Sequence, residues 1–240
     1  MAPGTDPRVA IACENLAVDG EIYSTLLGQI LAGPVVRWAP PGLEFNGWRH
    51  VVRLLPHFLG LATTEGVSLA LAAIDNDGGL KRHPEHDPTH TPWSWEARPE
   101  DVLGSKGCRV CSLGGRVPPG WSSGACIVVP VQALETWLLV ARDHRFSVPS
   151  PELQFNRTVL KGACWGKPMP HERLRFDLAL GWLADPAALP RLRGLRSFQL
   201  FEAGVRRWSS GGEASGRAEV EQLAGEDPQG AVQDLGHLPR

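Results

Sequence analysis

The chain has 240 residues, of which 42% are apolar and 21% charged, with a formal net charge of −2; this is the balance expected of an ordinary soluble protein, long enough for one substantial domain, or one domain with an insertion and a tail. No apolar run approaches the roughly 20 residues that span a bilayer, and the N-terminal MAPGTDPRVAIA lacks a basic segment followed by an apolar one, so neither a membrane span nor a secretory signal is expected. Five cysteines, an odd number, do not form a disulfide framework, and the expected compartment is the reducing cytoplasm.

In chain order, Arg8 to Cys13 (RVAIAC) is a short apolar run with β-branched members and predicts a buried strand ending at Glu14. From Asp19, Ile22, Leu26, Leu27 and Ile30 recur at helical spacing. Val35 to Trp38 predicts a second short strand. Trp48, Val51, Val52, Leu55 and Leu59 predict an amphipathic helix that Pro56 kinks or ends early. Val67 to Ile74 (VSLALAAI) predicts a buried strand running straight into Asp75-Asn76-Asp77-Gly78-Gly79. Strands alternating with helices in this way predict a mostly parallel sheet flanked by helices.

Residues 80–124 break the rhythm with Pro84, Pro88, Pro92, Pro99, Pro118 and Pro119, and predict an insertion or long functional loop. Ala125 to Val129 resumes the strand pattern, and VQALETWLLVA predicts a helix with Leu134, Trp137, Leu138 and Ala141 on one face. A helical region follows over about 171–208. Beyond it, 209–240 is rich in Gly, Ser, Glu and Gln and carries six acidic and two basic residues, so a disordered tail is expected. Within 136–208, twelve Arg or Lys face six Asp or Glu. Arg191, Arg193, Arg196, Arg206 and Arg207 belong to this cluster, which suits a phosphate-bearing ligand or simply a solvated helical surface.

Two acidic elements fall at the carboxyl ends of predicted buried strands, where open α/β sheets place their ligands. Glu14 ends the first strand; Asp75 and Asp77 end a later one, and in extended backbone residues i and i+2 point to the same side. Hard oxygen ligands of this kind suit Mg²⁺ or Mn²⁺. The plainer alternative is a polar Asn-Asp-Gly turn, with Glu14 favouring a helix start. An EF-hand is excluded: with Asp75 as position one, position twelve is His86 rather than Glu, and no Gly falls at position six.

The segments VAIACE, ALAAIDNDGG, IVVPVQALETWLL, LKGACWGKP and SFQLF, in that order, resemble the TOPRIM domain. They are more narrowly similar to TOPRIM nucleases of the OLD (overcoming lysogenization defect) group and their small stand-alone bacterial relatives. The resemblance implies a TOPRIM-like, Rossmann-like domain over about 7–170, including the insertion, with 171–208 as a helical extension. It also implies a metal-dependent hydrolase cutting DNA or RNA, with Mg²⁺ or Mn²⁺ held by Glu14, Asp75, Asp77 and Glu135. Glu14 is further implied as a general acid or base. A basic residue after the Glu135 helix is implied to hold the scissile phosphate, with Lys161 preferred over Lys167. Some members of the wider group act with an ATPase in anti-phage defence; with no P-loop pattern here, such a partner would come in trans. Relatives carry a further acidic residue about four positions after the first Glu, whereas position 18 here is Val; Asp19 or Glu21 is the substitute.

His83, His86, His90, Cys108 and Cys111 form a candidate structural zinc set, because Cys-x₂-Cys is ordinary ligand spacing. His83-Pro84-Glu85 with Cys108-Arg109-Val110-Cys111 also imitates the motif of zinc nucleobase deaminases, with Glu85 as the proton shuttle. Gly107 stands where that motif has Pro, and no amphipathic helix follows. A non-catalytic TOPRIM-like adaptor acting with a partner protein is a third reading. Trp93, Trp95 and Trp121 are either packing anchors or platforms for stacked bases. Cys13 and Cys164 have no His-Asp pattern nearby to make either a nucleophile.

Overall fold

A computed structural model of the chain describes residues 6–67, 69–75, 113, 116–118, 126–129, 134–147 and 157–210. Asp77, Glu85, the His/Cys set of the insertion, Trp93, Trp95, Trp121 and residues 211–240 lie outside the described residues.

Four strands form one sheet: β1 (Arg8–Ala12), β2 (Val36–Trp38), β3 (Leu69–Ala73) and β4 (Cys126–Val129), in the order β2-β1-β3-β4. Every pairing is parallel, with Ala10 opposite Trp38 and Ala70, and Ala73 opposite Val129. The chain is therefore α/β with an open parallel sheet, as the alternation of elements predicts. β3 is apolar throughout, and β1 is apolar after the exposed Arg8, because both faces of these strands are covered. Val9, Ile11, Leu69, Leu71 and Ala73 enter one core cluster; Ala10, Ala12, Ala70, Ala72 and Ile74 enter the other. The period-two alternation of a strand sorts these side chains to opposite faces.

The first face is covered by α1 (Asp19–Leu31) and by the later helices α3 (Leu134–Arg142), α4 (Arg157–Trp165), α5 (Glu172–Leu183), α6 (Ala188–Leu192) and α7 (Arg196–Ser209). Trp137 is fully buried there, edge-on to Tyr23 and Phe198, and its indole N–H donates to Ser197 Oγ at 2.8 Å. The segment expected as an extension over 171–208 is helical but is no appendage. Ala179, Leu183, Leu192, Phe198, Phe201 and Val205 belong to the same core cluster as Val9 and Ile11, since a four-stranded sheet needs them to close its face. α7 also reaches Ser209, one residue into the stretch read as tail.

The second face is covered by α2 (Trp48–Thr64), with Leu113 packed against the same cluster. Pro56 lies inside α2 and does not end it. An internal proline costs about 3 kcal/mol, and burial of Val51, Leu55, Phe58, Leu59 and Ala62 along one stripe offsets that, at roughly 1.5–3 kcal/mol per large side chain.

The strand order reverses between β1 and β3: the chain leaves β1 for β2 on one side and returns to β3 on the other. The crevice outside the carboxyl ends of such a pair is where open α/β sheets place ligands.

Candidate metal and phosphate site

Glu14 and Asp75 follow β1 and β3 at that reversal. The backbone N–H of Asp75 donates to Glu14 Oε1 at 3.0 Å, and the N–H of Leu134 donates to Asp75 Oδ1 at 3.1 Å. The second bond satisfies a first-turn donor of α3, which has no partner inside the helix. Each hydrogen bond uses one oxygen of a carboxylate that has two.

The loop between β1 and α1 is held by Asn15. Its Oδ1 accepts from the N–H groups of Ala17 and Val18, and its Nδ2 donates to Glu172 at the start of α5. This Asx turn leads the chain into α1 with Asp19 on its first turn. Gly47 closes the opposite wall by donating its N–H to the Glu14 carbonyl at 3.2 Å, with φ at +74°, a conformation that favours glycine. At Gly20 the constraint is close approach instead: a Cβ there would lie 2.9 Å from Arg37 Nη1 and 3.0 Å from Leu16 Cδ1, so the ends of those side chains would have to shift. That guanidinium bonds the Leu16 carbonyl and pairs with Glu21 at 2.8 Å.

These elements enclose a cavity of about 210 Å³ whose lining includes Glu14, Asp19, Asp75, Glu135, Lys161 and Arg175. Segments distant in sequence thus bring four carboxylates and two cationic side chains to one place. Of the residues singled out from sequence, Glu14, Asp75, Glu135 and Lys161 line this cavity; Lys167 does not. Asp19 is part of it, whereas Glu21 is engaged with Arg37. Glu135 is buried, accepts from the Trp165 indole N–H at 3.0 Å, and stands 3.9 Å from Lys161 Nζ.

Electrostatics follow from this crowding. Asp19 is pushed up to about 7, first by burial and then by the negative charges of Glu135 and Glu14; contact with Asn15 and the charge of Lys161 act the other way. Burial pushes the thiols of Cys13 and Cys164 up, which keeps them neutral and removes them as nucleophiles.

All-oxygen donors suit a hard divalent cation, and a like-charge cluster that raises the pKa of one member is the environment such an ion relieves. Among the described residues no three His, Cys, Asp or Glu side chains stand close enough to hold an ion as placed. The carboxylates ring the cavity, and the first oxygens of Glu14, Asp75 and Glu135 are turned toward N–H donors.

Two features escape the sequence reading. Arg175, on α5, lines the cavity beside the carboxylates. Three of the five arginines that did stand out have structural partners: Arg191 pairs with Asp185 and donates to the Ala141 carbonyl, and Arg193 and Arg206 both pair with Glu202. The basic cluster of 136–208 is to that extent a set of helix ties.

Comparisons with protein-family models, with curated proteins and with solved structures found no match. Among the described residues no helix is long and apolar enough to cross a membrane.

Proposed function

We propose that the chain is a divalent-metal-dependent nuclease built on a TOPRIM-like core, hydrolysing phosphodiester bonds of nucleic acid. One observation carries this reading: carboxylates at the ends of the two strands flanking the sheet's reversal share a cavity with a buried helix carboxylate and two cationic side chains. A substrate with an anionic reacting group suits that mixture, because the acidic wall holds cations and the basic wall holds the anion.

In this reading Glu14, Asp75 and Glu135, with Asp77 beyond Asp75, hold Mg²⁺ or Mn²⁺. Asp19 takes the place of the acidic residue missing at position 18. The bound ion supplies Lewis-acid polarisation of a phosphoryl oxygen and a water of lowered pKa. Glu135 is fixed by the Trp165 N–H, so its remaining oxygen has one orientation. Lys161, 25% exposed on its side chain, offers a mobile ammonium to the scissile phosphate and offsets the charge that grows there in the transition state.

The test is incubation of end-labelled DNA and RNA, single- and double-stranded, with Mg²⁺, Mn²⁺ or a chelator. Cleavage that needs the metal and disappears in Asp75→Ala and Asp77→Ala supports the proposal. Variants that cut as fast as the parent refute the site. No cleavage under any metal, together with stable capture of a partner protein, favours the adaptor; zinc-dependent ammonia release lost in Glu85→Gln favours the deaminase.

A further inference from the structure

Arg175 is unusual among the described arginines. Its Nε is buried and finds no acceptor among the described residues. Arg175 lines a cavity with four carboxylates, yet among the described residues the partner of its guanidinium is the Trp165 ring, with Cζ 6.0 Å from the ring centroid. Trp165 is itself fixed twice, by its N–H to Glu135 and by stacking on Trp182 at 5.4 Å and 23°. Arg142 lies over Trp182 at 5.3 Å and donates to the carbonyls of Ala163 and Cys164, the last turn of α4. The order Arg142, Trp182, Trp165, Arg175 therefore links three helices, and among the described residues aromatic packing rather than an ion pair holds the Arg175 head.

An arginine oriented by an aromatic ring keeps its donors for another partner. A buried N–H left unpaired costs about 1–3 kcal/mol, so the arrangement favours binding an acceptor-rich anion. Guanidinium matches phosphate with a planar fork that an ammonium lacks. Lys161 lies one helix away, on the same cavity wall system.

We propose that Arg175 is a phosphate-binding residue of this cavity, which grips the non-bridging oxygens of a nucleotide phosphoryl group while Lys161 contacts the same group. The role rests on the nuclease reading for its biological substrate, but the binding it describes needs no cleavage.

The test uses the full chain and thymidine 5′-monophosphate in Mg²⁺, with thymidine as the phosphate-free control, followed by calorimetry. Arg175→Gln is expected to weaken monophosphate binding roughly 10- to 100-fold, the loss expected for a charge-assisted hydrogen bond to an anion. Mn²⁺ affinity and melting temperature are expected to stay near the parent's. The salt dependence of oligonucleotide binding is expected to flatten by about one phosphate contact, which a purely structural role would not produce. Where Arg175→Gln fails to fold, Arg175→Lys decides: the charge without the fork is expected to bind several-fold more weakly. A parent that does not bind the monophosphate, or a folded variant that binds it like the parent, overturns the proposal. Arg175-dependent binding by a parent that cuts no nucleic acid supports the phosphate site and removes the nuclease reading. Cleavage by a parent whose Arg175 variants bind and cut equally well does the reverse.

Discussion

Glu14 Oε1 accepts the backbone N–H of Asp75 across 3.0 Å, so the ends of the two central strands are tied together by one of the proposed functional groups. A ligand at this point is gripped by groups whose spacing the sheet itself maintains. Each part of the proposed site can then be altered with a distinct expected result.

Asp75 combines an observed capping bond to Leu134 with its place in the proposed site, and substitutions separate the two. Asp75→Asn keeps an oxygen for the Leu134 N–H and should leave the melting temperature nearly unchanged while lowering metal-dependent cleavage by a factor of about 100 or more. Asp75→Ala loses the cap as well and should cost about 1 kcal/mol of stability. Initial rates and urea melts of the pair check this; equal rates for parent and Asn variant remove Asp75 from the chemistry.

Lys161 and Glu135 are 3.9 Å apart, a loose pair. Lys161→Met should lower kcat about 100- to 1000-fold, as expected for loss of a transition-state charge donor, with a stability change below about 1 kcal/mol. A stability loss much larger than this, with little kinetic effect, would show that Lys161 serves only to balance Glu135.

Trp165→Phe removes the N–H that fixes Glu135 while leaving a ring to stack on Trp182. Loss of a partner that orients a metal-binding carboxylate is worth roughly 10- to 100-fold. Mn²⁺ titration should show the same loss in affinity, and unchanged affinity would place the indole bond outside the site's function.

Asp19 gives a pH signature. Its folded-state value is near 7 against an ordinary value of 3.8, raised first by burial and then by Glu135 and Glu14. Between those values the folded state binds more protons than the unfolded state, so metal-free stability falls as pH rises from about 4 to about 7. Asp19→Asn lacks this loss. In chelator it should melt higher than the parent at about pH 8, by roughly 1–3 kcal/mol once partial exposure is discounted, with the gap closing at about pH 4. Mg²⁺ should narrow the gap at high pH by neutralising the cluster. Parallel melting curves at all pH values would contradict the crowding.

Glu14 and Asp75 were readable because strand-end carboxylates follow from two simple patterns, a β-branched or Ala-Leu apolar run and its abrupt polar end. β1 and β3 lie within two residues of their predicted limits. Glu135 and Lys161 needed the family resemblance, since a helix carboxylate or lysine has no local mark of its depth. Asp19 emerged only as one of two candidate substitutes; the structure puts Asp19 in the cavity lining while Arg37 engages Glu21 from β2, and no local pattern predicts that pairing. Arg175 had no signal beyond membership of a basic stretch, and its neighbours on the site were set by the packing of α4 against α3. Pro56 left open whether α2 kinks or ends early; that the helix runs on past it depended on a buried stripe that the sheet provides, which the local propensity cost does not show.

The hydrogen bond from Asn15 to Glu172 fastens the loop that carries Glu14 and leads into Asp19 to the head of the helix carrying Arg175. A protein cleaved or truncated near residue 170 would forfeit this fastening together with part of its core, and the amino-terminal piece would lose the alignment of its acids as well as its arginine. Activity restored by mixing the two pieces would have to accompany their reassociation, which makes fragment complementation a readout of assembly for the whole site.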